Sequence, residues 1–258
     1  MTKSQHNLMR TLTSFIRIPG IFLCIIIVFS TTLLSQNHNY SEKLSALLDS
    51  TQKSYGSSDM LVNGAVYFPE HRQASGSPYL FSDDFIQGTV FIDGLTFDGC
   101  ELSYNIVTQQ LIMLATMPNG ARLPIQLDNT LVDSFLLYDY LFVNTNKLNI
   151  KINTPFALAI QQGQNQWVLS YTKQFINQYN QNTPHGKFSN ASRSLYYSDN
   201  KQLVRIKSRK AFIKLSPEIK KELSQYFSKK RIKIKSASPE QLAHLIEFLH
   251  TQTKLQHD

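Results

Sequence analysis

Two Asp-Gly pairs stand five residues apart in GTVFIDGLTFDGCELSYN, residues 88–105. Carboxylates and glycines at that spacing admit three chemistries: calcium ligands, a phosphate cradle, or turns. A calcium loop of the helix-loop-helix kind needs oxygen-bearing side chains at alternate positions and a closing Glu at the twelfth, but Leu95, Thr96 and Phe97 separate the pairs. A phosphate cradle needs a glycine-rich loop that opens a helix, with a Lys behind it, and no helical period follows. Turn chemistry remains. Asp93-Gly94 suits a type I′ hairpin turn, in which both central residues take positive φ. Asp98-Gly99 is expected to bend or bulge the return strand.

The other polar candidates are sparse. Glu70, His71 and Arg72 are adjacent, so an exposed turn with a local ion pair competes with any acid-base role. Asp83-Asp84 is a carboxylate pair, and such pairs do acid-base work only where their surroundings split their pKa values. A solvated turn is the simpler expectation. His244 and His250 lie six residues apart on a predicted helix, about 240° around its axis, and cannot share a metal. His185 falls in a polar stretch and His257 close to the last residue. Trp167, in a hairpin flanked by polar residues, would either stack on a sugar or seal the core, and the core is the expectation. No HExxH, GxSxG, CxxC, Walker or dinucleotide pattern occurs. No catalytic residue, metal site or cofactor is therefore assigned.

Charge carries a direction. The chain has a formal net charge of +8, with 26 Lys and Arg against 18 Asp and Glu. Thirteen of those bases fall between Lys201 and Lys235, against only Glu218 and Glu222. Val204 and Ile206 alternate with Arg205, Lys207 and Arg209, and Ile232 and Ile234 with Arg231, Lys233 and Lys235. Two neighbouring strands of this kind would make a basic face that attracts anions and weakens with salt. The binding candidates are Arg205, Lys207, Arg209, Lys229, Lys230 and Arg231. The competing reading is that these charges balance the acidic remainder, within the molecule or against a second copy.

Elements must position these groups. Lys3, Arg10 and Arg17 precede the apolar run IFLCIIIVFSTTLLS, Ile21–Ser35, and the polar QNHNYSEK follows it. That order predicts a signal peptide over 1–35, in a run too short and too rich in Ser and Thr for a retained spanning helix. Leu23 before Cys24 rules out a lipid-attachment motif, and removal of the segment leaves Cys100 as the one cysteine, read as a small buried hydrophobe beside Leu102 and Tyr104. A short helix and linker are expected over 36–60, with Ser41 as N-cap and Leu44, Leu47 and Leu48 on one face. The Asn63-Gly64 pair predicts a hairpin. From 61 to 215 the period is near two and turn-formers punctuate short apolar runs. This predicts an antiparallel domain: a sandwich, roll or open barrel. Residues 177–194 show no period and are predicted to be a mobile loop.

Residues 216–258 read as a helix-strand-helix appendage. Ser216-Pro217 opens a helix with Ile219, Leu223 and Phe227 on one face. RIKIK, residues 231–235, predicts a strand. Ser238 and Gln241 make a capping box before Leu242, Leu245, Ile246 and Leu249.

The run GTVFIDG with Phe97, then LSYN at 102–105, QLI at 110–112, DSFLL at 133–137 and GQNQWVLSYTK at 163–173, resembles a group of secreted proteins typical of Bacteroidetes that have no established activity. This chain carries Asn105 where Asp is commoner in the group, and Phe97 where Tyr is. The resemblance implies an exported β-protein and transfers no site residue. Compartment and charge together predict a non-enzymatic envelope protein: periplasmic, outer-membrane-associated or secreted, and not transmembrane after cleavage. Its expected partner is an anionic envelope component or another envelope protein, and not nucleic acid. The rival classes are a hydrolase of envelope polymers, with Glu70, His71 and Asp83 or Asp84 as the only participants, and a purely structural subunit with a large exposed apolar surface.

Overall fold

The computed structural model describes residues 61, 64–117, 119–161, 165–199 and 202–255. The expected signal peptide, the 36–60 helix and linker, Asn63 and His257 lie outside the described residues. Strand formation follows the period-two runs: β1 (Ile86–Ile92), β2 (Leu95–Asn105), β3 (Gln110–Thr116), β4 (Arg122–Gln126), β5 (Val132–Leu137), β6 (Tyr140–Asn144), β7 (Phe156–Gln161) and β8 (Gln166–Thr172). The short pair β9 (Phe175–Ile176) and β10 (Lys187–Phe188) forms a separate ribbon, and β11 (Ser192–Ser198) and β12 (Leu203–Ile206) return to the main sheet. Helices close the order: α1 (Arg209–Ile213), a 3-10 turn (Pro217–Ile219), α2 (Lys220–Lys229) and α3 (Pro239–Leu255).

The main sheet runs β12-β11-β8-β7-β6-β5-β1-β2-β3-β4, and all its neighbours are antiparallel. β12 and β4 are the outermost strands and do not pair with each other, so the sheet is open; among the described residues, only the short bridge from Val66 lies outside β4. It is also strongly curled. β8 lies five places from β2, which in a flat sheet would be roughly 24 Å at about 4.8 Å per strand. Yet Lys173, just past β8, donates its backbone N–H to Ile106 O at 3.0 Å, and Gln109 Nε2 reaches Tyr171 O at 3.0 Å. The concave side is filled by Tyr104, Phe135, Phe142 and Phe156 from four different strands, with Phe135 and Phe142 stacked at 4.9 Å.

Both Asp-Gly pairs are turns. Asp93 (φ 49°) and Gly94 (φ 77°) form the two-residue link between β1 and β2, with Ile92 paired to Leu95. Asp98 and Gly99 (φ 68°) together face Thr89, a bulge that Thr89 Oγ1 closes with a 2.7 Å bond to Asp98 Oδ1. Beside it Gly88 admits no side chain, because a Cβ there would lie 2.3 Å from Leu136 O. Cys100, Leu102 and Tyr104 are buried as the alternation predicts. Trp167 is fully buried against Phe212 at 5.3 Å and Tyr197 at 4.8 Å.

The helical end obeys its apolar stripes. Ile219, Leu223 and Phe227, then Leu242, Leu245, Ile246 and Leu249, are buried in the same core as Leu169, Leu195 and Ile206 of the sheet. Each large side chain so buried stabilises by about 1.5–3 kcal/mol. The capping box forms: Ser238 N donates to Gln241 Oε1 at 2.9 Å and Gln241 N to Ser238 Oγ at 3.2 Å.

Three expectations are corrected. Residues 231–235 are a turn, not a strand. Arg231 takes φ 51°, Arg231 N reaches Ser228 O at 3.3 Å and Ile232 N reaches Phe227 O at 3.1 Å. This is a Schellman closure of α2, and it buries Ile232 against Phe227 instead of beside a strand. The strand after Leu203 stops at Ile206, because Ser208 caps α1 by accepting from Ala211 N. Residues 177–194, predicted to be a mobile loop, contain β10 and the start of β11. The polar Ser192, Arg193 and Ser194 pair with Thr172, Tyr171 and Ser170 of β8. After Gly64 the chain runs to β4, where Val66 bridges Ile125.

Candidate functional site

β12 is built by its alternation. Ile206 is buried and Val204 half-buried against the core, so the intervening Arg205 and the following Lys207 point away from it. Arg205 is steadied by a 2.6 Å bond from Nη2 to Ser194 Oγ on β11. Pairing between β11 and β12 ends at Leu195–Ile206, and β11 runs on past it through Ser194, Arg193 and Ser192. A groove of about 690 Å³ opens there, lined by Ala191, Ser192, Arg193 and Ser194, by Arg205 and Lys207, and by Ile234 and Lys235 of the turn after α2. Leu169, Leu195 and Ile206 floor it.

Four basic residues therefore line one concavity at the sheet edge, Arg193 from the core-facing side of β11 and Arg205 from the opposite side, and no carboxylate lines it. None of the four takes part in an ion pair among the described residues, where the pairs are Arg122–Glu101, Lys147 with Asp93 and Asp133, and His244–Glu247. Arg193 is the braced member: its Nε donates to Lys235 O at 2.9 Å, which ties β11 to the turn. Its guanidinium also sits by Tyr171, whose phenol burial pushes up and Arg193 partly draws back. Lys207 and Lys235 are exposed, and their ammonium groups have no hydrogen-bond partner among the described residues. Anions entering such a half-enclosed site meet charge that water screens less than on an open surface.

The six candidates read from sequence divide. Arg205 and Lys207 line the groove. Arg209 does not: it lies on α1, with Nη2 on Ser224 O at 2.7 Å, Nη1 on Ser228 Oγ at 3.2 Å, and its guanidinium 5.5 Å from the Phe227 ring. It braces α1 to α2. Lys229, Lys230 and Arg231 are exposed at the C-terminal end of α2 and are absent from the groove lining. There they offset the negative end of the helix dipole. Arg193 escaped the sequence reading because it lies in the stretch taken for a loop. The signal that could have found it is the alternation of Arg193, Leu195 and Tyr197 within SRSLYYS.

The enzymatic candidates do not converge. His71 stands in a turn at φ 53° and stacks flat on Phe175, 3.6 Å between ring centres. A shallow depression there takes His71, Arg72 and His185 but not Glu70, Asp83 or Asp84. Asp83 and Asp84 are exposed in bends after Phe81, and the expected Glu70–Arg72 ion pair is not among those of the described residues. His244 is exposed beside Glu247, whereas Gln161 Nε2 lies 3.1 Å from His250 Nδ1. No group of three His, Cys, Asp or Glu able to hold a metal occurs among the described residues. Among them, too, no helix is long and apolar enough to cross a membrane. Compared with protein-family models, curated proteins and solved structures, the chain finds no match.

Proposed function

We propose that this chain is an exported, non-enzymatic envelope protein that binds an anionic partner through the groove between β11, β12 and the turn after α2. One observation carries the reading: Arg193, Arg205, Lys207 and Lys235 line one concavity that has no acidic member. Charges that merely balanced the rest of the molecule would be expected beside its carboxylates, as Arg122 is beside Glu101. Export rests on the basic leader and the apolar run to Ser35, which predict a mature chain starting at Gln36.

The test measures binding of a fluorescent heparin oligosaccharide, as a generic polyanion, at low and high salt. The expected result is salt-sensitive binding that the double substitution Arg205→Glu/Lys207→Glu abolishes and Lys229→Glu/Lys230→Glu leaves intact. Equal loss in both variants would show that charge anywhere on the basic surface suffices, and the groove reading would fall. Sequencing of the protein recovered from host envelope checks the export half: a first residue other than Gln36 would remove it.

A further inference from the structure

We infer that the ligand group taken by this groove is a phosphate monoester, bound as its dianion. This rests on the anion-binding reading above and narrows it. The four cations differ in chemistry and in freedom. Arg205 spends one hydrogen of Nη2 on Ser194 Oγ, which restrains its guanidinium and leaves the second Nη2 hydrogen to form a parallel fork with Nε or Nη1. Arg193 is locked by its bond to Lys235 O. Lys207 and Lys235 are unengaged point charges on flexible stems. A pre-oriented fork beside free ammonium groups suits an oxyanion with several equivalent oxygens, because the fork takes two oxygens in parallel and the lysines take what remains.

The hydroxyls of Ser192 and Ser194 lie in the same lining and add short donors at the edge of β11. A planar carboxylate has two oxygens and one charge, and would leave most of this donor set without a partner. A phosphate monoester offers three oxygens and close to two charges at neutral pH, with a second ionisation near pH 6. The floor of Leu169, Leu195, Ile206 and Ile234 gives an ester substituent an apolar surface to lie on. Two sources carry this group: a small soluble phosphate ester and a phosphomonoester lipid headgroup. The groove chemistry is the same for both.

The experiment titrates the full mature chain with glycerol 3-phosphate and, at matched ionic strength, with the dicarboxylate malonate. Binding is read by phosphorus NMR for the first and calorimetry for both. The proposal expects glycerol 3-phosphate to bind at least about tenfold tighter, a difference of about 1.4 kcal/mol. It expects the bound ester to ionise at lower pH than the free one, so affinity falls as pH drops through 6. Arg205→Lys, which keeps the charge and removes the fork, should erase the preference for glycerol 3-phosphate over malonate.

Vesicles containing phosphatidic acid separate the sources: retention on them beyond what free glycerol 3-phosphate competes away assigns the headgroup. Equal affinity for both probes would overturn the phosphate assignment and leave the anion-binding reading standing. No binding of glycerol 3-phosphate while heparin binds would do the same. Failure of heparin, phosphate and malonate alike would remove both. Because Arg205 is exposed, its variants test the site without testing the fold.

Discussion

Ile232 donates its backbone N–H to Phe227 O across a turn in which Arg231 is held at φ 51°. That single closure decides how the basic segment is used. It ends α2, buries Ile232 and Ile234, and carries Lys235 to the groove while leaving Arg231 outside it. A left-handed conformation costs a residue with a Cβ roughly 1–2 kcal/mol, and glycine is the usual occupant of this position.

Arg231→Gly is therefore expected to stabilise the protein by about 0.5–1 kcal/mol, less than the full strain because glycine also frees the unfolded chain. Urea midpoints with an unchanged slope measure it. Heparin binding should be unaffected, since Arg231 does not line the groove. A lowered midpoint would mean that the Arg231 side chain makes a contribution larger than the strain it carries.

The same segment shows where sequence reading succeeds and where it stops. Ile232 and Ile234 alternate with charges, and both are indeed buried. Alternation over five residues does not distinguish a strand from a turn whose apolar residues pack on a preceding helix; the hydrogen bonds of the Schellman closure decide, and they depend on α2. Longer signals were legible because they are locally complete. Asp93-Gly94 needs only its own φ values, the Ser238–Gln241 box only its own turn, and the 242–249 stripe only one face. The groove was half legible. Arg205 and Lys207 follow from the alternation of β12, but Arg193 joins them only through the pairing of Arg193 with Tyr171. Strand pairing across a gap of that length is set by the curled sheet, which no local pattern encodes.

The capping box offers a sharper local test. Ser238 Oγ accepts from Gln241 N, and Gln241 Oε1 accepts from Ser238 N. Ser238→Ala leaves one N–H at the start of α3 to water and is expected to cost about 1 kcal/mol. Ser238→Asp should retain most of the stability by accepting the same bond. Thermal or urea unfolding of both variants checks the order; an Ala variant as stable as the parent would show that burial of Leu242 and Leu245 alone holds the helix start.

Cys100 makes a prediction about pH. Burial, with Asp98 nearby, pushes its thiol up to about 11 from a reference of 9.0. A group whose native pKa is raised keeps its proton in the folded state after the unfolded chain has lost it. The native protein then binds more protons than the unfolded one between about pH 9 and 11, so stability falls as pH rises through that window, by up to about 1.4 kcal/mol per pH unit. Cys100→Ala should flatten that part of the profile. In the native protein the thiol should resist a disulfide reagent at pH 8 and react at once on unfolding. Rapid native-state labelling would contradict the burial.

Asn105 ties the N-terminal strap to the sheet. It is almost wholly buried; its Nδ2 donates to Tyr67 Oη at 2.9 Å, and its Oδ1 accepts from Val107 N at 2.9 Å and Thr108 N at 3.1 Å. Tyr79 Oη donates toward the same phenol at 3.4 Å. Asn105→Ala removes an acceptor from two backbone donors and a donor from Tyr67, and should cost about 2–4 kcal/mol. Asn105→Asp is a different case. A carboxylate accepts the same two N–H bonds, and the Tyr67 hydroxyl can turn to donate to it, so every partner stays satisfied. Such a carboxylate would ionise below its usual range, and the stability it adds would be present at neutral pH and lost as pH falls through its native pKa. The Asp variant should therefore match the parent at pH 7 within about 1 kcal/mol and fall behind it in acid, whereas the Ala variant lags at both. Urea titrations of the three proteins at pH 7 and pH 4 separate these outcomes. An Asp variant as damaged as the Ala variant at pH 7 would mean that the Tyr67 hydroxyl cannot reverse, and that Tyr79 fixes its direction.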